Sequence, residues 1–403
     1  MLFRRTRARR SAQAGRSARG GGGGRWLVGL ALAWAGLAVV CTQLPPRWWW
    51  PTAFGAMTLP AALGLNALLL LLFGLRRRRL ALVPLAVLVL GWGYAQRGFA
   101  VNAPLADAPP ARAVSALPTV GADSVADPFR VLSHNVRIFN YYKSLADPDY
   151  ASSKTLVEWL ADHPADVLCL QEYYNQVKRW DKYPFFQTTR TIGRGRYAFV
   201  SVAYPFKGQE FGLAIFSRFP IVRRGIISFG RLTQNHAQWA DLRRPAHAGR
   251  PADTVRVYNV HFQSMSLDES AIVTTTQRRA WLDAPGLRLL RRFRDGAVRR
   301  SQQADTVVAH IRACRLPVVV CGDFNDVPYS YTYSVFNNFM ANAHQSVGTG
   351  VGATYNGRLP GLRLDSQFST PDRLEPVWVK LHEEIALSDH YPLEAVYQVK
   401  RRR

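Results

Sequence analysis

The sequence predicts an α/β enzyme domain set behind a membrane anchor, and three observations carry that expectation. Three long apolar stretches lie within the first hundred residues, an Ala- and Pro-rich stretch follows them, and beyond it short apolar runs recur, each ending in polar residues. Strands that deliver polar side chains at their ends are the layout of an α/β enzyme. At 403 residues, 48% hydrophobic and 20% charged, the chain has room for one large globular domain plus an accessory region. That composition excludes a disordered tail protein.

The apolar stretches are Trp26 to Leu44, Ala53 to Leu75 and Leu80 to about Ala95, each near the ~17 to 25 residues a spanning helix needs. A signal peptide has one short apolar core and a small-residue cleavage site, so the repetition predicts about three transmembrane helices. The third is the shortest and carries Pro84, which leaves a re-entrant segment open. Arginines near a span stay on the cytoplasmic side. Residues 1–105 hold fourteen arginines, no lysine and no acidic residue, clustered before Trp26 and at Arg76 to Arg79. Trp48, Trp49 and Trp50, with Trp92 and Tyr94, suit the opposite, aromatic interface. The expected order is a basic cytoplasmic tail (1–25), an anchor (26–97), an Ala/Pro-rich linker (98–127) and an extracytoplasmic catalytic domain (128–403).

The net charge of +25 favours a polyanionic surface or substrate, nucleic acid or anionic lipid, as well as a merely solvated basic face. Beyond the first hundred residues the excess gathers between Arg288 and Arg300 and in the terminal Lys400 to Arg403 run. Cys41, Cys169, Cys314 and Cys321 have neither metal-ligand nor disulfide-scaffold spacing, and Cys169 and Cys321 sit in apolar runs as small hydrophobes.

The strand-like runs are Phe129 to Val136, Val167 to Glu172, Gly212 to Ser217, Val255 to Gln263, Leu316 to Asn325 and Leu364 to Phe368. Helical periodicity marks Ser152 to Asp162, with Ser152 as its cap, and Ser301 to Ala313. The polar termini read Ser133-His134-Asn135-Val136, Cys169-Leu170-Gln171-Glu172, Tyr258-Asn259-Val260-His261, Gly322-Asp323-Phe324-Asn325, Arg363-Leu364-Asp365 and Ser388-Asp389-His390. As an ordered set, this series resembles the endonuclease/exonuclease/phosphatase superfamily over about Phe129 to Val399. Ser366 and Gln367 depart from its usual aromatic and aliphatic residues after the aspartate.

The resemblance implies a four-layer α/β sandwich, two mixed β-sheets packed face to face and flanked by helices, with the active site at one end of the sheets. It implies hydrolysis of a phosphate ester by a water activated with Mg²⁺ or Mn²⁺. Oxygen ligands from Asn135, Glu172 and Asp389 suit those hard cations. Catalytic roles fall to His261, Asp323, Asn325, Asp365 and His390: Asp323 and His390 activate attack, Asn325 orients water or phosphate, Asp365 holds His390, and His261 serves the phosphate or leaving group. Glu210 is the best match for a carboxylate partner of His261, and Asp241 a weaker one. The expected substrate is a nucleic acid, which makes the protein a phosphodiesterase or nuclease. A phospholipid headgroup is the alternative, and an inactive membrane scaffold the third reading. The lipid bilayer is an expected partner; no protein partner is expected.

Overall fold

The computed structural model describes residues 22–103, 128–178, 182–206, 208–230, 235–246, 252–264, 284–357, 359 and 361–400. Most of the expected linker, the first 21 residues and the last three lie outside the described residues.

Twelve strands form among these residues. They are β1 (Phe129–Asn135), β2 (Val167–Gln176), β3 (Tyr197–Phe206), β4 (Gln209–Ser217), β5 (Ile221–Ser228), β6 (His236–Arg244), β7 (Asp253–His261), β8 (Val318–Asp323), β9 (Ala341–Asn342), β10 (Asp365–Ser369), β11 (Leu374–Leu381) and β12 (Leu393–Val399). One six-stranded sheet runs β11-β12-β1-β2-β4-β3 and the other β5-β6-β7-β8-β10-β9. Each is mixed: β1 and β2 are parallel in the first, β7 and β8 in the second, and their other pairings are antiparallel.

The inner faces meet in a core of Val131, Val167, Cys169 and Ile215 against Val257, Val319 and Cys321. Alternation puts every second side chain on that face, so the same strands also feed outer cores. Leu156 and Leu160 of a helix at Ala151–Asp162 cover the first sheet, and Val307 and Ile311 of a helix at Ala284–Arg312 cover the second. All four cysteines are free, and Cys169 and Cys321 are fully buried in the inner core.

Polar groups also cross between the sheets. Gln171 donates to Asn259 Oδ1 at 2.6 Å, and Asn259 returns to the carbonyls of Leu170 and Ala214. Gln367, the departure beside Asp365, donates to the carbonyls of Val131 and Leu393 and accepts from Tyr397. These residues are essentially inaccessible, so their directional bonds set the alignment of one sheet on the other. Ser152 does not cap its helix as expected. The helix begins at Ala151, and Asp147 accepts from both the Ser152 amide and its hydroxyl.

The expectation of three transmembrane helices needs correction. Helix α1 (Gly22–Gln43) has a stretch, Gly23–Gln43, long and apolar enough to cross a bilayer, with mean hydropathy 1.7. The second apolar stretch divides into α2 (Thr52–Met57) and α3 (Leu59–Leu75), of 6 and 17 residues. The third divides into α4 (Leu82–Leu90) and α5 (Trp92–Gly98), with a 60° bend at Gly91. By length and composition there is one spanning candidate among the described residues, or two if the bent pair counts as one. Thr58-Leu59-Pro60 and Gly91 interrupt hydropathy that looks continuous in the sequence, since Pro starts helices and Gly ends them cheaply.

These helices rest on the two-sheet domain. Phe54 stacks on Phe293 at 4.1 Å, Arg47 pairs with Asp305, and Asn338 donates to Gln43. Arg97 donates to Ser334, and Ala100 and Gly350 exchange backbone hydrogen bonds.

Gly322, the residue before Asp323, has φ +143°, and a Cβ there would lie 2.0 Å from the Val260 carbonyl oxygen. Gly322→Ala should therefore force β7 and β8 apart. The expected cost is about 3 kcal/mol or more, read as a lowered melting temperature of the full chain. A variant melting with the parent would show that the strands accommodate the methyl group.

Candidate active site

The residues singled out in the sequence converge at one end of the two sheets. In the second sheet β7 ends at His261, β8 ends at Asp323 and β10 begins at Asp365, and the register places Asp323 opposite both of the others. In the first sheet β1 ends at Asn135. A bulge in β2 between Leu170 and Tyr173 carries Glu172, whose φ is +48°. Asn325, two residues past β8, has φ +51°. Glu172 is strained at its positive φ and is held by its surroundings, whereas asparagine, as at Asn325, adopts the left-handed region readily. Asp389 and His390 come from the segment between β11 and β12.

Asp323 is the centre of the constellation and is 1% exposed. Its Oδ2 accepts from Asn135 Nδ2 at 3.0 Å and from Asn325 Nδ2 at 3.2 Å; its Oδ1 accepts from the Asn325 amide at 2.8 Å. Two imidazoles flank it beyond hydrogen-bond range: His261 Nε2 at 3.8 Å and His390 Nε2 at 3.9 Å. Burial pushes the Asp323 carboxyl up, with Asp365 adding to the rise, while His390, His261 and the Asn135 bond oppose it.

His390 is fixed from three sides. Its Nδ1 lies 2.8 Å from Asp365 Oδ2, its carbonyl oxygen meets His134 Nε2 at 3.0 Å, and the Tyr355 ring stands edge-on at 5.2 Å. Thr354 supports the pair from beneath, accepting from the Leu364 and Asp365 amides at 3.0 Å. Burial alone would lower the His390 pKa, but Asp365 and Asp323 override it and push it up to about 10. The ring is therefore an imidazolium at neutral pH. His134, buried with no carboxylate beside it, is pushed down to about 3 and stays neutral.

The expected metal-binding set is spread over two walls of the site. Asn135 Nδ2 bridges Glu172 Oε1 at 3.1 Å and Asp323 Oδ2, while its amide oxygen accepts from the Arg137 amide. Asn135 thus joins two carboxylates in this structure and does not turn its oxygen toward them. Glu172 Oε1 lies 3.8 Å from His261 Nε2. Asp389 Oδ2 pairs with Arg137 Nε at 3.2 Å, and burial raises its carboxyl pKa.

Several observations fit a divalent cation here. Four carboxylates crowd one cleft, with Glu172 and Asp389 acting on one another electrostatically. His261 Nε2 is buried without a hydrogen-bond partner, facing the space between Glu172 and Asp323. An oxygen-rich cleft of this kind suits Mg²⁺ or Mn²⁺.

Glu210 and Asp241 do not join the site. Glu210 accepts from Asn175 at 2.8 Å, and Asp241 forms a two-pronged bond to the Arg256 guanidinium. Sequence reasoning missed Thr354, Tyr355 and Arg137 as supports. Arg137 stands two residues beyond Asn135, but nothing local to it signals Asp389, 252 positions away. A second buried group, His163, His382 and Glu394, is neutralised locally: His382 lies between Glu384 and Glu394, and Arg130 adds a contact at 3.3 Å.

The raised His390 pKa links stability to pH. The Asp365–His390 attraction is fully present below the unfolded histidine value of about 6.5 and fades as pH rises through about 10. Asp365→Asn should therefore melt below the parent at pH 6, with the gap narrowing toward and beyond pH 10. A gap independent of pH would show that the pair is not charged as described.

A family model described as the Endonuclease/Exonuclease/phosphatase family matches residues 132–390, and one for a domain of unknown function (DUF8431) matches residues 25–98. No curated protein matches the chain. Among solved structures, it is similar to an endonuclease/exonuclease/phosphatase from Bacteroides vulgatus, at 17% identity and TM-score 0.48, over 68% of this chain and 100% of that one. The human Nocturnin catalytic domain with bound sulfate is similar at 19% identity and TM-score 0.47, over 68% and 95%. A protein from Beutenbergia cavernae DSM 12333 gives 18% identity and TM-score 0.47, over 68% and 72%. With a family match spanning more than half of the chain, and both sheets converging on one acidic, histidine-flanked cleft, the chain belongs to the endonuclease/exonuclease/phosphatase family.

Proposed function

We propose that the protein is a divalent-cation-dependent phosphodiesterase that hydrolyses its substrate by in-line attack of water. The observation carrying this reading is the placement of two imidazole Nε2 atoms 3.8 and 3.9 Å from one oxygen of a buried carboxylate. Neither contact is a hydrogen bond, so the two ring nitrogens flank the carboxylate oxygen without capping it.

Asp323 is the base. Its raised pKa brings it closer to the proton it must take from water, and the bonds from Asn325 and Asn135 fix the orientation of its carboxylate. His390, charged and held by Asp365, faces a phosphoryl oxygen on which negative charge grows during attack. His261 stands toward Glu172 and serves the leaving oxygen. Glu172 and Asp389, with the Asn135 amide turned so that its oxygen faces them, would hold Mg²⁺ or Mn²⁺. Such a cation supplies charge neutralisation at the phosphoryl group.

These residues act on the phosphate and are indifferent to what it esterifies. The exposed arginines Arg288, Arg291 and Arg294 on the helix Ala284–Arg312 favour a nucleic acid, because exposed cations track a phosphate backbone. Helix α1, with seven arginines before it and Arg25 in its first turn, supports an anchor with the catalytic domain on the far side of the membrane. A phospholipid headgroup would then lie within reach.

Turnover of bis(p-nitrophenyl) phosphate, plasmid DNA, RNA and phospholipid vesicles should stop on chelation and return with Mg²⁺ or Mn²⁺; full activity after exhaustive chelation would refute the cation dependence. Asp323→Asn and His390→Ala should each lower kcat by about two orders of magnitude or more while melting near the parent. Near-normal turnover in either folded variant would mean that the chemistry lies elsewhere. His261→Ala should lose more on alkyl than on aryl esters, because a good leaving group needs less protonation; equal losses would remove it from that role.

A further inference from the structure

Five arginines are buried among the described residues: Arg97, Arg244, Arg256, Arg300 and Arg363. Three have carboxylate partners: Arg244 with Asp253, Arg256 with Asp241 and Arg300 with Asp326. Arg97 and Arg363 have none among the described residues. Arg97 reaches the Ser334 hydroxyl, and Arg363 reaches the carbonyl oxygens of Val351 and Arg97, but the Nε of each is buried without a hydrogen-bond partner. The Arg97 guanidinium lies 4.2 Å from the centre of the Tyr94 ring and 5.8 Å from that of Tyr333. Burial lowers the Arg363 pKa, and neighbouring tyrosines only partly offset it.

A buried guanidinium without an anion is costly. Arg363, 3% exposed, also lines a cavity of about 370 Å³ at the seam between the N-terminal helices and the catalytic domain. The rest of its wall is mainly apolar: Met57 and Pro60 from the helices, Phe99 and Val351 at the rim, and Val327 and Pro328 below. Met57, Phe99 and Val351 remain 45%, 57% and 45% exposed. One end of this space therefore asks for negative charge and the other for a hydrocarbon.

We propose that the cavity binds an anionic amphiphile, with its oxyanion head against Arg363 and its apolar chain along Met57, Pro60, Phe99 and Val351. The cavity is lined by none of the residues placed in the active site, although two of its residues lie close to that site in sequence. Val327 follows Asn325 by two residues, and Arg363 precedes Asp365 by two. The proposal does not depend on the phosphodiesterase reading, because binding alone decides it.

The test is native mass spectrometry of the full chain in dodecyl maltoside with dodecyl phosphate as probe. One saturable molecule per chain is expected, with inorganic phosphate and dodecanol competing at least about tenfold less well, since each supplies only half of the contacts. Arg363→Gln should weaken binding about tenfold or more, while Arg363→Lys, which keeps the charge, should retain most of it. Val351→Trp, at an exposed rim position that leaves both arginines in place, should also weaken it. The proposal is overturned by absence of saturable binding, by inorganic phosphate or dodecanol competing as well as dodecyl phosphate, or by folded Arg363→Gln and Val351→Trp proteins binding like the parent.

Discussion

A carboxylate removed almost wholly from water must be surrounded by donors or by positive charge, and Asp323 is the group on which that demand falls. Its position at the end of β8 brings Asn135 across from the other sheet, Asn325 back from the following turn, and two imidazoles to either side. The two sheets must therefore be in a particular alignment before the site exists. The bonds between Gln171 and Asn259, and from Gln367 to the carbonyls of Val131 and Leu393, hold that alignment from within the core. Packing of valines and isoleucines alone would tolerate small slides of one sheet over the other. A polar seam does not, because each slide leaves buried groups unpaired.

The same logic explains what the sequence could and could not disclose. The runs Phe129 to Val136, Val255 to Gln263 and Leu316 to Asn325 combine apolar stretches with polar ends, and they contain most of β1, β7 and β8. Strand β6 was hidden because its buried positions include Asp241 and Arg244, which read as surface residues until Arg256 and Asp253 arrive from elsewhere to pair with them. Strand β5 was hidden for the opposite reason: it is an edge strand with exposed Arg223 and Arg224, the kind of charge that blunts an edge. In the N-terminal part, hydropathy registered apolar length but not direction, so the breaks near Pro60 and Gly91 passed as continuous spans.

At the site, residue types were legible because chemistry restricts them, whereas partners were not. Aspartate, asparagine and histidine at strand ends announce themselves. That Glu210 bonds to Asn175, or that Thr354 holds the amides of Leu364 and Asp365, depends on a fold-wide juxtaposition that no local window contains. The inverted amide of Asn135 is a further case: the residue is where the motif puts it, but its nitrogen, not its oxygen, meets the two carboxylates.

The joint between the N-terminal helices and the catalytic domain has an unusual balance of forces. Its cohesion comes from a ring stack at Phe54 and Phe293, a short backbone bridge at Ala100 and Gly350, and scattered polar bonds. Against these stands the penalty of keeping Arg97 and Arg363 dry without a counter-ion. Parting the joint rehydrates both guanidiniums, so the two halves are bound by less than their contact suggests. An anion lodged between them reverses the sign of that contribution and turns the weakest part of the seam into its adhesive.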